Sequence, residues 1–287
     1  MFLKKMINNI ARRTRHRLGR ALYMKSLGIG PNDMKSNGEF LVQTCVLEAF
    51  LNTKKPDYPL VVFDVGANVG DWSSAFLTLL AAYKINEDLV NLYTFEPVPT
   101  TSVLLHQKLG DQHACLHYET FALSSEKGET TIYVGEGSGI NSLHPNPMRK
   151  AEHPIVIHRT TATEFCKSQN IEHIHLLKCD TEGHDMETIQ GALQLLAQSK
   201  ISLLQFEYNH RWIYAKSFLR DVFIAIENMP YKIALLQSDH LLFLDEWHPE
   251  LERFFEGNYA IVHKEAIHWF PSKNGSWDCF NTLVVNN

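Results

Sequence analysis

The sequence is poor in cysteine and contains no hydrophobic run that approaches the length of a membrane span. Such a span needs about 20 consecutive apolar residues, and none is present among the 287 residues. The five cysteines lie far apart and include no C-x-x-C pair, which favours a reducing compartment and argues against a zinc ribbon. Glycine (15) and proline (11) are too scarce for a collagen-like or low-complexity chain. We therefore expect a globular, cytoplasmic protein.

The net charge of -5 is distributed unevenly along the chain. Residues 1–25 carry eight of the 27 lysines and arginines and no acidic residue. The remainder therefore has 19 basic against 32 acidic residues, a balance of -13. A body with this charge is not a nucleic-acid binder by bulk electrostatics.

The basic arm needs a separate interpretation. Read as a helix, residues 1–25 interleave apolar side chains with cations, which is typical of a helix that lies on an anionic lipid or glycan surface. A solvated basic helix that packs loosely on the domain is the alternative. The arm lacks the apolar centre of a secretory signal. We predict a helical extension over 1–55 and one domain over 56–287, with peripheral membrane contact through 1–25 as a hypothesis.

From Pro59 onward, apolar runs typical of strands alternate with helical patterns. This alternation predicts an α/β fold with a doubly wound, mainly parallel, seven-stranded sheet whose last strand is antiparallel. The predicted strands are 60–65, 90–95, 115–123, 174–179, 201–206, 231–236, 241–244 and 259–263, with 128–134 as an added edge strand or hairpin before an irregular stretch over 135–154. The predicted helices are 71–83, 99–109, 184–197, 217–228 and 248–255. Ligands of such sheets bind at the carboxyl ends of the strands.

The first predicted strand ends in a glycine-punctuated turn, DVGANVGDWS over 64–73. Backbone amides and a helix dipole converge there on an anion. A dinucleotide loop would need glycine at 68 and 71, where Asn68 and Asp71 stand. Two acids, Asp64 and Asp71, would repel a pyrophosphate, because unit charges about 6 Å apart interact by about 3 kcal/mol at an effective dielectric constant near 20. S-adenosylmethionine, with its ammonium, sulfonium and single carboxylate, fits better; a turn without a ligand is the alternative.

The next two strand ends complete a predicted cofactor site. Glu96 follows the second strand and could accept the ribose hydroxyls of an adenosine, or simply cap the next helix. Small residues and a hydroxyl over 122–124 could flank an adenine. The predicted cofactor-binding residues are Asp64, Gly66, Asn68, Gly70, Glu96 and Ser124.

Candidate catalytic residues follow the fourth and fifth strands. Asp180 and Glu182 could accept a proton from an attacking hydroxyl or bind a divalent cation, although both could also serve the N-terminus of the next helix. His210 is a further candidate base, and Glu207 and Trp212 are candidate acceptor contacts. The histidines match no metal-binding spacing, so a metal is left unknown.

Several segments resemble one family when taken in order. They are DVGANVGDWS (64–73), FEP (95–97), ALSSEKGETTIYV (122–134), NSL (141–143), KCDTEGHDMETIQGA (178–192) and NYAIVHKE (258–265). The chain resembles the FkbM family of S-adenosylmethionine-dependent methyltransferases. The resemblance implies a class I, Rossmann-like methyltransferase sheet and transfer chiefly to hydroxyl oxygens. It places Asp64, Gly66, Asn68, Gly70 and Glu96 on the cofactor, and Asp180 and Glu182 beside the reacting centre.

The functional hypothesis is an O-methyltransferase acting on a hydroxyl-bearing small molecule or glycan by in-line displacement. One alternative is a non-catalytic cofactor-binding module that recruits partners through its basic arm. Another is an NAD-dependent oxidoreductase, which Asn68 and Asp71 disfavour.

Overall fold

Helices and strands alternate along the computed structural model, which describes residues 2–29, 33–53, 59–135, 141–145 and 152–286. The helices of these residues are α1 (Phe2–Ser26), α2 (Glu39–Asn52), α3 (Asp71–Ala82), α4 (Pro99–Leu109), α5 (Ala162–Gln169), α6 (Asp185–Ala197), α7 (Trp212–Ala215) and α8 (Leu219–Ile226). The strands are β1 (Leu60–Val65), β2 (Val90–Phe95), β3 (Leu116–Glu119), β4 (Ala122–Leu123), β5 (Gly128–Gly135), β6 (Glu152–Thr160), β7 (Ile174–Cys179), β8 (Ile201–Tyr208), β9 (Tyr231–Leu236), β10 (Leu241–Leu244), β11 (Gly257–His263), β12 (Ser272–Trp277) and β13 (Leu283–Asn286).

The large sheet has ten strands in the order β13-β12-β10-β9-β11-β8-β7-β1-β2-β3. Neighbours from β3 through β8 are parallel, and β11 is antiparallel to both β8 and β9. The mainly parallel sheet with an antiparallel late strand is therefore confirmed. The predicted number of seven strands is wrong, because β10, β12 and β13 extend the sheet beyond β9. The strand β12, SKNGSW, is too polar to be recognised as an apolar run.

A second, three-stranded sheet has the order β4-β6-β5. The predicted strand over 115–123 is divided, because β3 pairs with β2 whereas β4 pairs with β6. The predicted strand over 128–134 is present as β5, paired with β6 rather than with the large sheet. The strand β6 of this sheet and the helix α5 that follows it were not predicted. Much of the stretch predicted to be irregular, 136–140 and 146–151, lies outside the described residues.

The remaining helices agree with the prediction in part. The helices predicted over 71–83, 99–109 and 184–197 correspond to α3, α4 and α6 within one residue at each end. The helix predicted over 217–228 is the shorter α8. The helix predicted over 248–255 is wrong, since only a short 3₁₀ turn, Pro249–Leu251, forms there.

Both faces of the large sheet are covered, so every residue of β1 is buried. Successive side chains of a strand point to opposite faces. Val61, Phe63 and Val65 accordingly join one apolar cluster with α5, α6 and α8, whereas Leu60 and Val62 join another with α2 and α3. This burial on both sides explains why β1 is a continuous apolar run.

The basic extension divides into two parts that the prediction did not separate. Helix α2 packs in the core through Val46, Leu47 and Phe50. Helix α1 is exposed from residue 9 to residue 22. It is fixed near its C-terminal end, where the Tyr23 hydroxyl donates to Glu250 at 2.9 Å. None of the described helices has the length and apolar composition of a membrane span.

Candidate active site

The parallel register brings three sequence-predicted segments side by side. Val65 at the end of β1 pairs with Phe95 of β2 and with Cys179 of β7, so the residues that follow these strands meet at one edge. A cavity of about 640 Å³, including its part open to solvent, lies at this edge. It is lined by Val65, Gly66, Asn68, Phe95, Glu96, Pro97, Ala122, Leu123, Ile132, Asn141, Leu143, Asp180, Thr181, Glu182 and His184.

The loop after β1 depends on glycine at two positions. Gly66 has a φ of 76°, and a Cβ atom there would lie 2.0 Å from the Asp180 carbonyl oxygen. Gly70 has a φ of 85° and precedes α3, where a Cβ atom would meet Leu105 at 2.7 Å. Asn68 between them also has a positive φ, of 50°. Only a glycine permits the loop after β1 to approach the loop after β7 this closely.

The amides of this loop are used within the protein. Gly66 and Ala67 both donate to the carbonyl of Phe95, at 3.0 and 3.1 Å, and Gly70 donates to the carbonyl of Ala67 at 2.8 Å. The Asn68 amide donates to the Glu96 carboxylate at 3.0 Å. The amides of Gly66, Ala67 and Asn68 hold the loop against the end of β2, and the Gly70 amide closes a turn within the loop, so these four amides are not free to receive a ligand anion.

Glu96 lies at the base of the cavity with 5% of its surface exposed. Its two oxygens accept from the amides of Asn68 and Val98, at 3.0 and 2.9 Å. Burial raises the pKa of Glu96 to about 7, although the two amide bonds oppose the rise. A second lone pair on each oxygen leaves capacity for a ligand hydroxyl.

Asp64, a predicted cofactor ligand, lies beneath the loop and is fully buried. One of its oxygens accepts from the Ser73 hydroxyl at 2.6 Å and the other from the Lys178 ammonium at 3.1 Å. Asp64 does not line the cavity, so in this structure it supports the loop from below.

Lys178 joins the loop after β1 to the loop after β7. Its ammonium also contacts the Gly66 carbonyl at 3.4 Å and the Asp180 carboxylate at 3.7 Å. Burial alone lowers the pKa of Lys178, but the carboxylates of Asp64, Asp180 and Glu39 outweigh burial and raise it above its ordinary value. The side chain is therefore a permanent cation beneath the cavity.

The acidic residues after β7 occupy different environments. The Asp180 side chain lines the cavity and is 41% exposed. Glu182 also lines the cavity, but its carboxylate forms an ion pair with Arg211. Asp185, the first residue of α6, is buried and accepts long hydrogen bonds from the amides of Thr181 and Gly183. Burial, and then the charge of Asp180, raise the pKa of Asp185 to about 7.

The candidates at the end of β8 and in the residues that follow it do not line the cavity. The Trp212 ring is fully buried, and its indole N–H donates to the Glu207 carbonyl at 2.9 Å. Glu207 is 7% exposed and holds Asn209, and burial raises its pKa well above the ordinary value. His210 is exposed and is not part of the cavity lining. The buried position of the Trp212 ring does not support the prediction that Trp212 contacts the acceptor.

Ser124 is fully buried, and its hydroxyl lies 2.9 Å from Nε2 of His184. The predicted cofactor residue Ser124 thus faces His184, and His184 itself lines the cavity. Burial lowers the pKa of His184 to about 4, so the ring is neutral at pH 7.

Two asparagines carry unsatisfied groups at the cavity. The side-chain carbonyl oxygens of Asn68 and Asn141 are buried and have no hydrogen-bond partner among the residues that the structure describes. Asn68 was predicted as a site residue, whereas Asn141 was not. The only sequence signal for Asn141 was its place in the NSL segment of the resemblance.

Sheet order and cavity position place the chain among doubly wound α/β proteins that bind ligands at the carboxyl ends of their strands. Residues 64–251 match the family model described as the Methyltransferase FkbM domain. The chain therefore belongs to the FkbM methyltransferase family.

Solved structures resemble the chain at low identity, so the likeness concerns the fold alone. A methyltransferase FkbM from Methylobacillus flagellatus KT is 14% identical, with a TM-score of 0.45 over 77% of this chain and 48% of that one. The CurJ carbon methyltransferase is 11% identical, with a TM-score of 0.40 over 77% and 53%. The plantazolicin methyltransferase BpumL, in complex with SAH, is 9% identical, with a TM-score of 0.39 over 86% and 90%. The chain spans about half the length of the first two, and no curated protein matches it.

The ion pair beneath the cavity can be tested by removing its cation. We expect Lys178→Met to lower the free energy of unfolding by about 3–5 kcal/mol, because Asp64 would remain buried without a counter-charge. As a control, Lys108→Met breaks the exposed pair with Asp71 and should cost at most about 1 kcal/mol. Urea denaturation at pH 7 measures both; equal losses would contradict the role given to Lys178.

Proposed function

We propose that the protein is an S-adenosylmethionine-dependent methyltransferase that methylates a hydroxyl oxygen of a small molecule or glycan. The charge of the cavity lining carries this proposal. Glu96, Asp180 and Glu182 contribute carboxyl groups, and the lining residues that the structure describes include no lysine or arginine. Such a lining favours an ammonium and a sulfonium, and opposes the diphosphate of a dinucleotide.

The groups at the cavity fit this cofactor. The free carbonyl oxygens of Asn68 and Asn141 can accept hydrogen bonds from its ammonium and from the amino group of its adenine. Glu96 can accept ribose hydroxyls through the lone pairs that its two amide bonds leave free. Apolar lining from Phe95, Leu123, Ile132 and Leu143 provides surface for an adenine ring.

When bound, S-adenosylmethionine supplies an electrophilic methyl group, whose bond to sulfur breaks with its electron pair remaining on sulfur as the new bond to the acceptor oxygen forms. Asp180 accepts the hydroxyl proton in this proposal. Its carboxylate is the most accessible at the cavity, whereas Glu182 is paired with Arg211 and His210 lies outside the lining. Lys178 fixes Asp180 from below. Holding the acceptor hydroxyl in line with the methyl group can contribute about 7–11 kcal/mol to catalysis.

The competing functions make different binding predictions. An oxidoreductase would bind NAD and not S-adenosylmethionine, and a non-catalytic module would bind the latter without releasing S-adenosylhomocysteine. Titration calorimetry with S-adenosylmethionine and with NAD therefore shows which of the two cofactors the protein binds. Heat with NAD alone would overturn the proposal.

The affinity for S-adenosylmethionine should rise with pH through the titration of Glu96. Because the pKa of Glu96 is raised to about 7, the side chain is neutral below this pH and a charged acceptor above it. Charge-assisted hydrogen bonds are stronger by about 1 kcal/mol, so calorimetry should show about three- to four-fold tighter binding at pH 8 than at pH 6. Glu96→Gln should bind S-adenosylmethionine more weakly, and its affinity should not change between pH 6 and pH 8. If the affinity of that variant depended on pH as the affinity of the wild type does, the pH dependence would belong to another group, such as Asp185.

Asp180→Asn should reduce turnover by about 100- to 10,000-fold, which is the usual contribution of a general base. Its affinity for S-adenosylmethionine should fall far less than its turnover, because Glu96 and Glu182 keep their carboxyl groups at the cavity. Asp245→Asn, at the distant surface pair with Lys232, is the matched control. Mass spectrometry of an extracted acceptor pool would detect the gain of one CH₂ group. Full turnover in Asp180→Asn would remove this residue from the mechanism.

We also propose that α1 holds the domain against an anionic bilayer on the cytoplasmic side. Its exposed apolar side chains, Ile10, Leu18 and Leu22, fall within about 120° of one another around the helix, beside the arginines of the same segment. Each cation near an anionic surface adds about 1 kcal/mol. Contacts with the body at Tyr23 and at Arg20, which lies over Phe255, leave this face open.

Replacing Arg13 and Arg17 together by alanine should weaken binding to vesicles containing phosphatidylserine by about 30-fold, the equivalent of 2 kcal/mol. Lys84→Ala with Lys167→Ala removes two exposed cations of the domain itself and should have little effect. Sedimentation with vesicles at low and high salt measures both. Binding that neither pair alters, or no binding at low salt, would contradict the proposal.

A further inference from the structure

Two histidines and a glutamate converge beside the cavity, between helix α6 and the segment 141–145. Nε2 of His144 lies 3.3 Å from Oε1 of Glu187 and 3.5 Å from Nδ1 of His184. Nδ1 of His184 lies 3.6 Å from Oε2 of Glu187. The side chains of His144 and Glu187 are about one-fifth exposed, and that of His184 is only 6% exposed. Each of the three side chains thus offers a potential metal ligand, and these atoms lie within 4.8 Å of one another.

The distances among these atoms agree with tetrahedral coordination. Zinc binds histidine nitrogen at about 2.0–2.1 Å, which separates ligands at tetrahedral angles by about 3.3 Å. An octahedral ion with bonds of about 2.1 Å would separate adjacent ligands by only about 3.0 Å. The 3.5 Å between the two histidine nitrogens is closer to the tetrahedral value, and each nitrogen lies 3.3–3.6 Å from a different oxygen of Glu187. Two imidazoles and one carboxylate are also a common ligand set for zinc.

The surroundings of His184 and Glu187 support metal binding rather than a closed hydrogen-bond network. Nε2 of His184 lies 2.9 Å from the Ser124 hydroxyl, which fixes the ring and leaves Nδ1 directed at the cluster, as metal-bound histidines usually are. Oε2 of Glu187 is buried without a hydrogen-bond partner in the described part of the chain. A network that satisfied its own members would not leave this oxygen unpaired.

We propose that His144, His184 and Glu187 form a binding site for a divalent transition metal ion of the zinc type. The site does not depend on methyl transfer, because none of its ligands is assigned to the proton transfer. Its structural effect would be to join the segment 141–145 to α6. The same segment supplies Asn141 and Leu143 to the cavity wall, so metal binding would also stabilise that wall.

The test uses the full chain without a histidine tag, treated with chelator and then titrated with Zn²⁺ in a calorimeter. We expect one equivalent to bind. His144→Ala should weaken binding by more than the 10- to 100-fold typical of losing an outer-shell partner, and Ser124→Ala by about that amount. Glu187→Gln should act like His144→Ala. Co²⁺ in place of Zn²⁺ should give the visible absorption of a tetrahedral site.

His158→Ala is the matched control, since this histidine is exposed and contacts only Glu129 among the described acidic residues. It should bind zinc as the wild type does. Thermal unfolding with and without zinc adds a second readout, because a bound metal raises the melting temperature of the wild type and not of His144→Ala. Absence of stoichiometric binding, or equal binding by His144→Ala and the wild type, would overturn the proposal.

Discussion

The buried ammonium of Lys178 connects the parts of the site that come from different strands. It binds Asp64 at the end of β1, the carbonyl of Gly66 in the following loop and Asp180 after β7. A buried charge costs several kcal/mol unless it is paired and hydrogen-bonded. Moving any one of these three partners away from the Lys178 ammonium would therefore cost free energy. This constraint agrees with the close approach of Gly66 to the Asp180 carbonyl, which admits no side chain at position 66.

The carboxyl groups of the site differ because their environments differ. Glu96 and Asp185 are buried, and burial raises the pKa of each to about 7. Asp180 is partly exposed and close to the Lys178 ammonium. In enzymes, carboxyl groups in different environments commonly have different pKa values and different roles in the reaction. Here the buried Glu96 lies at the base of the cavity, and Asp180 lines the same cavity with a more accessible carboxylate.

Strands buried on both faces were predictable from sequence, and polar or divided elements were not. β1, β2 and β7 are mostly apolar, and their predicted bounds agree with the structure. Nothing in the run over 115–123 indicated that its two halves would join different sheets. The site residues were likewise predictable only where the local sequence specifies their position. Gly66 and Glu96 follow strands directly, whereas the direction of the Trp212 ring depends on packing against Phe206 and Tyr208 that the local sequence does not specify.

The segment 141–145 shows why contacts between residues far apart in the chain could not be predicted from the sequence. Asn141 donates to Thr101 of α4, and the Ser142 hydroxyl donates to the Glu182 carbonyl at 2.9 Å. His144 meets His184, 40 residues later, at 3.5 Å. These contacts join the segment to α4 and to the loop between β7 and α6. A ligand in the cavity gains affinity when its wall is already ordered, since ordering a loop on binding costs free energy. Contacts that fix this segment therefore contribute to the cavity even where they do not touch its ligand.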